Sequence, residues 1–217
     1  MKKIILGIMV SLFSIQFVWA GPVGFGIRGG VVMANQVSSL YSETPSYNSD
    51  VLFGFTGGIF AEVGLLDFLS IQPEVDYTMK GVQVNANFNS VDSSGNIIAT
   101  NKGTLSYSFD YVEVPLLLKA HTTLSPHLTG SLSVGPEAGF LLSADYHYAW
   151  TGANNATGDF PLNGVGVDWG LLFGAGLELD SFLLDLRYDL GLTSVFQNFP
   201  TGPENSVLSL QVGYRIQ

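Results

Sequence analysis

Alternation with a period of two residues constrains this chain more than any other feature, because such a repeat separates two faces only in a β-strand. The last segment is the clearest: Leu208, Leu210, Val212, Tyr214 and Ile216 alternate with Ser209, Gln211, Gly213 and Arg215. Val165, Val167, Trp169, Leu171, Phe173, Ala175 and Leu177 share one phase, while Asp168, Gly170, Gly174, Gly176 and Glu178 share the other. Leu184, Leu186, Tyr188, Leu190 and Leu192 repeat the pattern around Asp185, Arg187 and Asp189. Further matches run from Phe25 to Met33, Phe53 to Val63 and Ile71 to Met79. About eight strands are predicted, near residues 23–35, 51–64, 68–82, 104–120, 127–145, 165–179, 182–193 and 206–216.

The amino terminus reads as an export leader. Lys2 and Lys3 precede an apolar run from Ile4 to Val18, and Val18 and Ala20 stand where a signal peptidase reads small side chains. The run is short for a bilayer span, so residues 1–20 are expected to be a signal peptide cleaved before Gly21, and residues 21–217 one barrel domain. The loss of Lys2 and Lys3 leaves six basic residues against 18 acidic ones, a net charge of −12. Nucleic acid is not an expected partner of so acidic a product, since phosphate binding needs clustered Lys and Arg. The chain has no cysteine, which excludes disulfides and thiolate metal sites.

Only 12% of the residues are charged, yet no later stretch is an uninterrupted apolar helix. An apolar exported chain built of strands crosses a membrane by closing its sheet, so that no backbone N–H or C=O meets lipid unpaired. The connections agree. Residues 36–50, 83–103, 146–164 and 194–205 are long and rich in Asn, Ser, Thr, Gly and Pro, whereas 65–67, 121–126 and 180–181 are short. Long loops on the outside and short turns on the periplasmic side are the pattern of transmembrane barrels. The predicted fold is thus all-β, a closed antiparallel up-and-down barrel of about eight strands in the bacterial outer membrane.

Charge follows the phase opposite the aliphatic and aromatic residues. Arg28, Lys80, Lys119, Arg187 and Arg215 lie on it, together with Glu62, Glu74, Asp76, Glu113, Glu137, Asp168, Glu178, Asp185 and Asp189. In a membrane barrel this phase faces a narrow lumen, where ions must pair. In a soluble lipocalin-like barrel it would be the solvated exterior. The leader, the mixture of both signs on one face, and tyrosines near segment ends favour the membrane. The structural site expected is a lumen charge network of Arg28, Glu62, Glu74, Asp76, Lys80, Glu113, Lys119, Glu137, Asp185, Arg187, Asp189 and Arg215. It reads as a salt-bridged plug, because an eight-stranded interior is just wide enough for side chains; an ion or proton relay is the alternative.

The segment YVEVPLLLKA (Tyr111 to Ala120) resembles a signature of the PorT-like outer-membrane β-barrel family of the Bacteroidetes lineage. SIQPEVDYTMKG (Ser70 to Gly81), GPEAGFLLSA (Gly135 to Ala144), WGLLFGAGLELD (Trp169 to Asp180), LLDLRYDLGLTSV (Leu183 to Val195) and NSVLSLQVGYRI (Asn205 to Ile216) are similar to successive strands of that family. The resemblance implies a fold and an outer-membrane location, and no catalytic residues. One departure is the carboxyl end: such barrels finish on an aromatic residue, and here Ile216 and Gln217 follow Tyr214.

Candidate chemistry outside the lumen is sparse, and no catalytic, cofactor or metal set is expected. Ser143, Asp145 and His147 supply the residue types of outer-membrane lipid acyltransferases, but residue types alone do not activate a nucleophile. Gly24, Gly26 and Gly29 spell GxGxxG without the strand-then-helix context of a dinucleotide site; they read instead as a thinned wall facing bulky lumen side chains. Pro115 is expected on the lumen side, interrupting the ladder, with Val114, Leu116 and Leu118 toward lipid. Tyr41, Tyr47, Phe88, Tyr148, Trp150, Phe160, Phe196 and Phe199 punctuate the loops, as an outer aromatic girdle or as binding residues for an extracellular ligand.

The expectation is a monomeric, non-enzymatic barrel with a structural or surface-binding role. Its partners would be membrane lipid and lipopolysaccharide, with the barrel-assembly machinery during biogenesis. A passive channel, a rim enzyme acting on lipid or lipopolysaccharide, and a secretion accessory are the alternatives.

Overall fold

The computed structural model describes residues 23–37, 48–91, 93–150, 156–159, 166–195 and 202–216. The expected leader lies outside these residues. Ten strands follow in chain order: β1 (Val23–Val37), β2 (Asn48–Asp50), β3 (Leu52–Leu66), β4 (Leu69–Val91), β5 (Ile97–Ser125), β6 (Leu128–Trp150), β7 (Ala156–Asp159), β8 (Asp168–Leu179), β9 (Phe182–Ser194) and β10 (Glu204–Ile216).

Eight of them close a ring in the order β1-β3-β4-β5-β6-β8-β9-β10, every neighbour antiparallel. The seam joins β1 to β10 from Phe25 opposite Ile216 to Val37 opposite Glu204. β2 and β7 are short additions on β4 and β6. Closure removes the sheet edges, which is the condition for a sheet to stand in lipid. No helix among the described residues is long and apolar enough to cross a membrane.

Burial is inverted relative to a water-soluble protein. Phe53 is 72% exposed and Leu132 68%, and the outward rows of β9 and β10, Leu184, Leu186, Leu192, Val212 and Tyr214 among them, are open as well. Lys80, Glu74, Glu137 and Arg187 are buried inside. Had the soluble alternative held, the charges would have been the exposed set. Val114, Leu116 and Leu118 point outward, and Pro115 is fully buried on the lumen side. The β4–β5 ladder lapses beside it, between Pro73 opposite Leu116 and Asp76 opposite Glu113, because proline brings no N–H to the pairing.

The three short turns expected from the sequence lie at one end. Asp67–Phe68, Pro126–His127 and Asp180–Ser181 are the turns, and Val23 and Ile216 of the seam strands end there too. Asp180 takes a positive φ of 54°, a conformation that Asp tolerates better than most residues and that tight hairpins require.

At the other end the structure departs from the sequence reading. The expected loop 83–103 is mostly strand, because β4 continues to Val91 and β5 begins at Ile97. The expected loop 146–164 contains the end of β6 and all of β7. β4, β5 and β6 have 23, 29 and 23 residues, against about 9–11 needed to cross the hydrocarbon layer. Their upper parts form a raised sheet.

The polarity of the alternation reverses as the strands rise. Below the level of Lys80, charges point in and most apolar side chains point out, with Phe60 and Leu117 among the buried exceptions. Above it, the inward phase carries Val82, Phe109, Tyr111 and Ala144, all buried, with Leu105, Tyr107, Tyr146 and Tyr148 half-buried. The outward phase there carries Ser106, Ser108, Asp110, Ser143, Asp145 and His147. This is the pattern of a sheet that has left lipid for water. Its Asn, Ser and Thr content made it look like loop, because an outward face in water has no need of aliphatic residues.

Candidate functional site

The lumen holds the concentrated chemistry of the barrel, and β4 is its spine. Successive inward side chains on this strand are Ser70, Gln72, Glu74, Asp76, Thr78 and Lys80, and all six are buried. Each meets a different level of the opposing wall, which sorts the charges into three tiers.

The first tier lies at the short-turn end. Glu62 accepts from Lys119 Nζ at 3.0 Å, Arg215 Nη2 at 2.8 Å and Ser70 Oγ at 2.8 Å. Arg215 also donates to both oxygens of Glu178, at 2.6 and 2.7 Å. Two cations meet two anions at the floor of a cavity of about 830 Å³ that opens toward the turns.

The second tier centres on Glu74, whose side chain is wholly buried. Arg28 grips both of its oxygens and reaches Asp76 at 2.8 Å. Arg187 grips the same two oxygens at 2.8 and 3.2 Å, and Gln72 Nε2 adds a hydrogen bond at 2.5 Å. Paired Arg–carboxylate forks satisfy charge and direction together. Asp185 is peripheral, 4.0 Å from Arg187. The Arg28 guanidinium also lies 5.6 Å from the ring centre of Phe60, an apolar lumen residue.

The third tier is unbalanced. The Lys80 ammonium faces Glu113 at 2.6 Å, Asp168 at 3.1 Å, Glu137 at 3.2 Å and Asp189 closer still. Thr78 donates to Glu113 at 2.6 Å and Asn205 to Asp168 at 2.9 Å. The Tyr111 ring lies 5.5 Å from the ammonium. Phe109, Tyr111, Ala144 and Val195 then pack into an apolar cluster above it, with Val32, Ala34 and Val207 forming another. Between the second and third tiers is a cavity of about 20 Å³, room for about one water.

All twelve residues expected in the network are on the lumen phase, and eleven join one of these contacts directly, with Asp185 at the margin. Asp168 and Glu178, placed on that phase by the alternation, join them. The neutral partners Ser70, Gln72, Thr78 and Asn205 were not anticipated, nor were the apolar fillers Phe60 and Tyr111. For β4 the signal existed: its neutral residues occupy the same alternate row as Glu74, Asp76 and Lys80.

Of the GxGxxG run, Gly24 and Gly26 face bulky lumen side chains as expected, whereas Gly29 is on the outward row and faces only the backbone of β3. A side chain at Gly26 would meet Phe60 Cζ at 2.2 Å, and one at Gly24 would meet Arg215 Nη1 at 2.7 Å. Ser143 Oγ donates to Asp110 at 2.8 Å, while His147 is exposed on the outer face of the raised sheet. His127 pairs with Asp180 at 2.8 Å in the exposed turns, and His121 Nε2 is 3.1 Å from the Asp67 carbonyl. Of the loop aromatics, Tyr148 is half-buried; Tyr41, Tyr47, Phe160, Phe196 and Phe199 lie outside the described residues, as do the side chains of Phe88 and Trp150.

No curated protein matches the chain significantly. Among solved structures, OprG from Pseudomonas aeruginosa is 12% identical, with 92% of this chain and 98% of that one covered at a TM-score of 0.44. Neisserial surface protein A is 13% identical, with 89% and 98% covered at a TM-score of 0.43. Ail, the attachment invasion locus protein of Yersinia pestis, is 12% identical, with 89% and 99% covered at a TM-score of 0.36. Apolar residues outside a closed antiparallel wall and ion pairs within it are what lipid demands of a barrel, and a family match over residues 16–197 takes in the wall from β1 through β9: the chain belongs to the outer membrane protein beta-barrel domain family.

Proposed function

We propose that this outer-membrane barrel is a closed, monomeric, non-enzymatic scaffold that holds the raised β4–β5–β6 sheet above the outer leaflet as a binding surface. The observation that carries the reading is the reversal of polarity above Lys80, which marks these strands as ordered structure in water rather than wall. The wall beneath is filled by buried ion pairs and closed above by the Phe109–Tyr111 cluster, an arrangement suited to rigidity rather than conduction. The Ser143 hydroxyl donates to Asp110, a carboxylate rather than a histidine base. The reading includes export by cleavage after Ala20, insertion by the barrel-assembly machinery, and a lipid and lipopolysaccharide belt around the outward aliphatic rows. The Tyr111 to Ala120 segment supports placement in the PorT-like branch of the family.

The test compares two whole barrels, the native chain and one in which residues 86–101 are replaced by a tight turn. Cells displaying the native barrel should be retained on arrays of surface glycans and matrix proteins, and the trimmed barrel should fold but lose that retention. The purified native barrel should give no conductance steps in a planar bilayer. Equal retention by both barrels, or steady conductance, would overturn the reading.

A further inference from the structure

In the third tier, Lys80 takes one oxygen from each of four carboxylates and leaves most of the others unsatisfied. Glu113 Oε2 accepts from Thr78. Glu137 Oε2, Asp168 Oδ1 and Asp189 Oδ1 accept from no N–H or hydroxyl group and are shut away from solvent, and the Glu137 and Asp189 carboxyl groups face each other. Their side chains are 1%, 3% and 8% exposed. Buried polar atoms are rarely orphaned in this way, and an unpaired carboxylate oxygen in low dielectric is among the costliest.

Charge gives a second reason. With all four carboxyl groups ionised, one ammonium would leave three negative charges without a counterion, whereas the first two tiers each pair two cations with two close carboxylates. A third reason is geometry. Ligand oxygens of Glu113, Glu137 and Asp189 lie within 4.8 Å of one another, close enough to share one ion. Gly170 lies directly beneath: a side chain there would meet Asp189 Oδ1 at 2.8 Å and Glu137 Cγ at 3.2 Å, so the wall is kept bare where these two carboxylates turn. The cavity of about 20 Å³ lined by Glu113 and Asp189 adjoins them.

We infer that the third tier is a site for one hard divalent cation, of the calcium or magnesium class, held by Glu137 and Asp189 with Glu113 and Asp168 beside them, and that Lys80 supplies the remaining positive charge. An all-oxygen carboxylate set selects such ions over softer metals. With the ion bound, three positive charges face four negative ones. The ligands come from strands β5, β6, β8 and β9, so the ion would tie together four wall strands at one level. The inference rests on the lumen geometry and is independent of the proposed surface role.

The test uses the mature chain refolded from denaturant into detergent free of lipopolysaccharide and treated with chelator, then titrated with calcium chloride or magnesium chloride. One ion per barrel should be retained through desalting, measured by elemental analysis, and the melting temperature should rise with the divalent ion but not with an equal ionic strength of sodium chloride. Glu137→Gln is close to isosteric and removes one buried charge, so the variant should fold and lose the divalent response; Asp189→Asn serves in its place if that barrel does not assemble. Lys80→Met removes the competing ammonium and should tighten divalent binding. A native barrel that retains no divalent ion, and melts at the same temperature with chelator as with calcium or magnesium, would overturn the inference and leave protons to balance the tier.

Discussion

Glu74 is held by two arginines from distant parts of the sequence, Arg28 of β1 and Arg187 of β9, and neither can leave without stranding charge. Replacing Arg187 by Leu should destabilise the barrel by about 3–5 kcal/mol, the usual result of breaking a buried pair from one side. It should be read as a lower urea midpoint and a loss of heat-modifiable gel migration. Adding Glu74→Gln to that variant should recover part of the loss, because the stranded carboxylate is gone. Unchanged migration in the single variant would show that Arg187 contributes nothing to the plug. At this scale the sequence was legible as to phase: the charged residues of the wall strands below the raised sheet could be assigned inward from their neighbours at two-residue spacing. Which charge meets which was not legible. That depends on the stagger of eight strands around the ring, so Lys80 could not be matched to Asp189, 109 residues away, from any local pattern. Phe60 was hidden for a different reason: on an inward row of Gly54, Thr56, Gly58 and Glu62 it carries no charge to mark it as a lumen residue.

Leu116 and Asp145 make the same point for whole strands. Both point outward, Leu116 from the part of β5 within the wall and Asp145 from the raised part of β6. Leu116→Arg should cost about 2–4 kcal/mol if it lies near the membrane midplane, while Asp145→Arg should stay within about 0.5 kcal/mol, as for a water-facing site. Urea unfolding in lipid vesicles measures both, and similar costs would refute the change of surroundings along the strands. The hairpin tip offers a direct test of orientation. Gly95 has a φ of 84° and open space where a side chain would be, so an epitope inserted beside it should be tolerated and labelled by antibody on intact cells. The same epitope at the Asp67–Phe68 turn should be labelled only after permeabilisation. The wall segments were legible because lipid forces an aliphatic residue at every second position. The upper reaches of β4, β5 and β6 were not, because a strand in water is free to be Asn- and Ser-rich and then resembles loop.

For the molecule as a whole, the ion pairs of the second and third tiers are interior, and monovalent salt should matter little. Raising sodium chloride ought to leave the unfolding midpoint nearly unchanged, since screening acts on exposed charges and far less on buried ones; a steep fall with salt would mean that water reaches the tiers. The three tiers also bear on the order of events in time. Glu62 and Lys119 wait for Arg215 of the final strand, Glu74 waits for Arg187, and Lys80 waits for Glu137, Asp168 and Asp189. In each tier an ion from an early strand is fully paired only when a late strand arrives. A half-threaded barrel would carry incompletely paired ions toward lipid, so the tiers favour keeping the strands in contact with water until β10 meets β1.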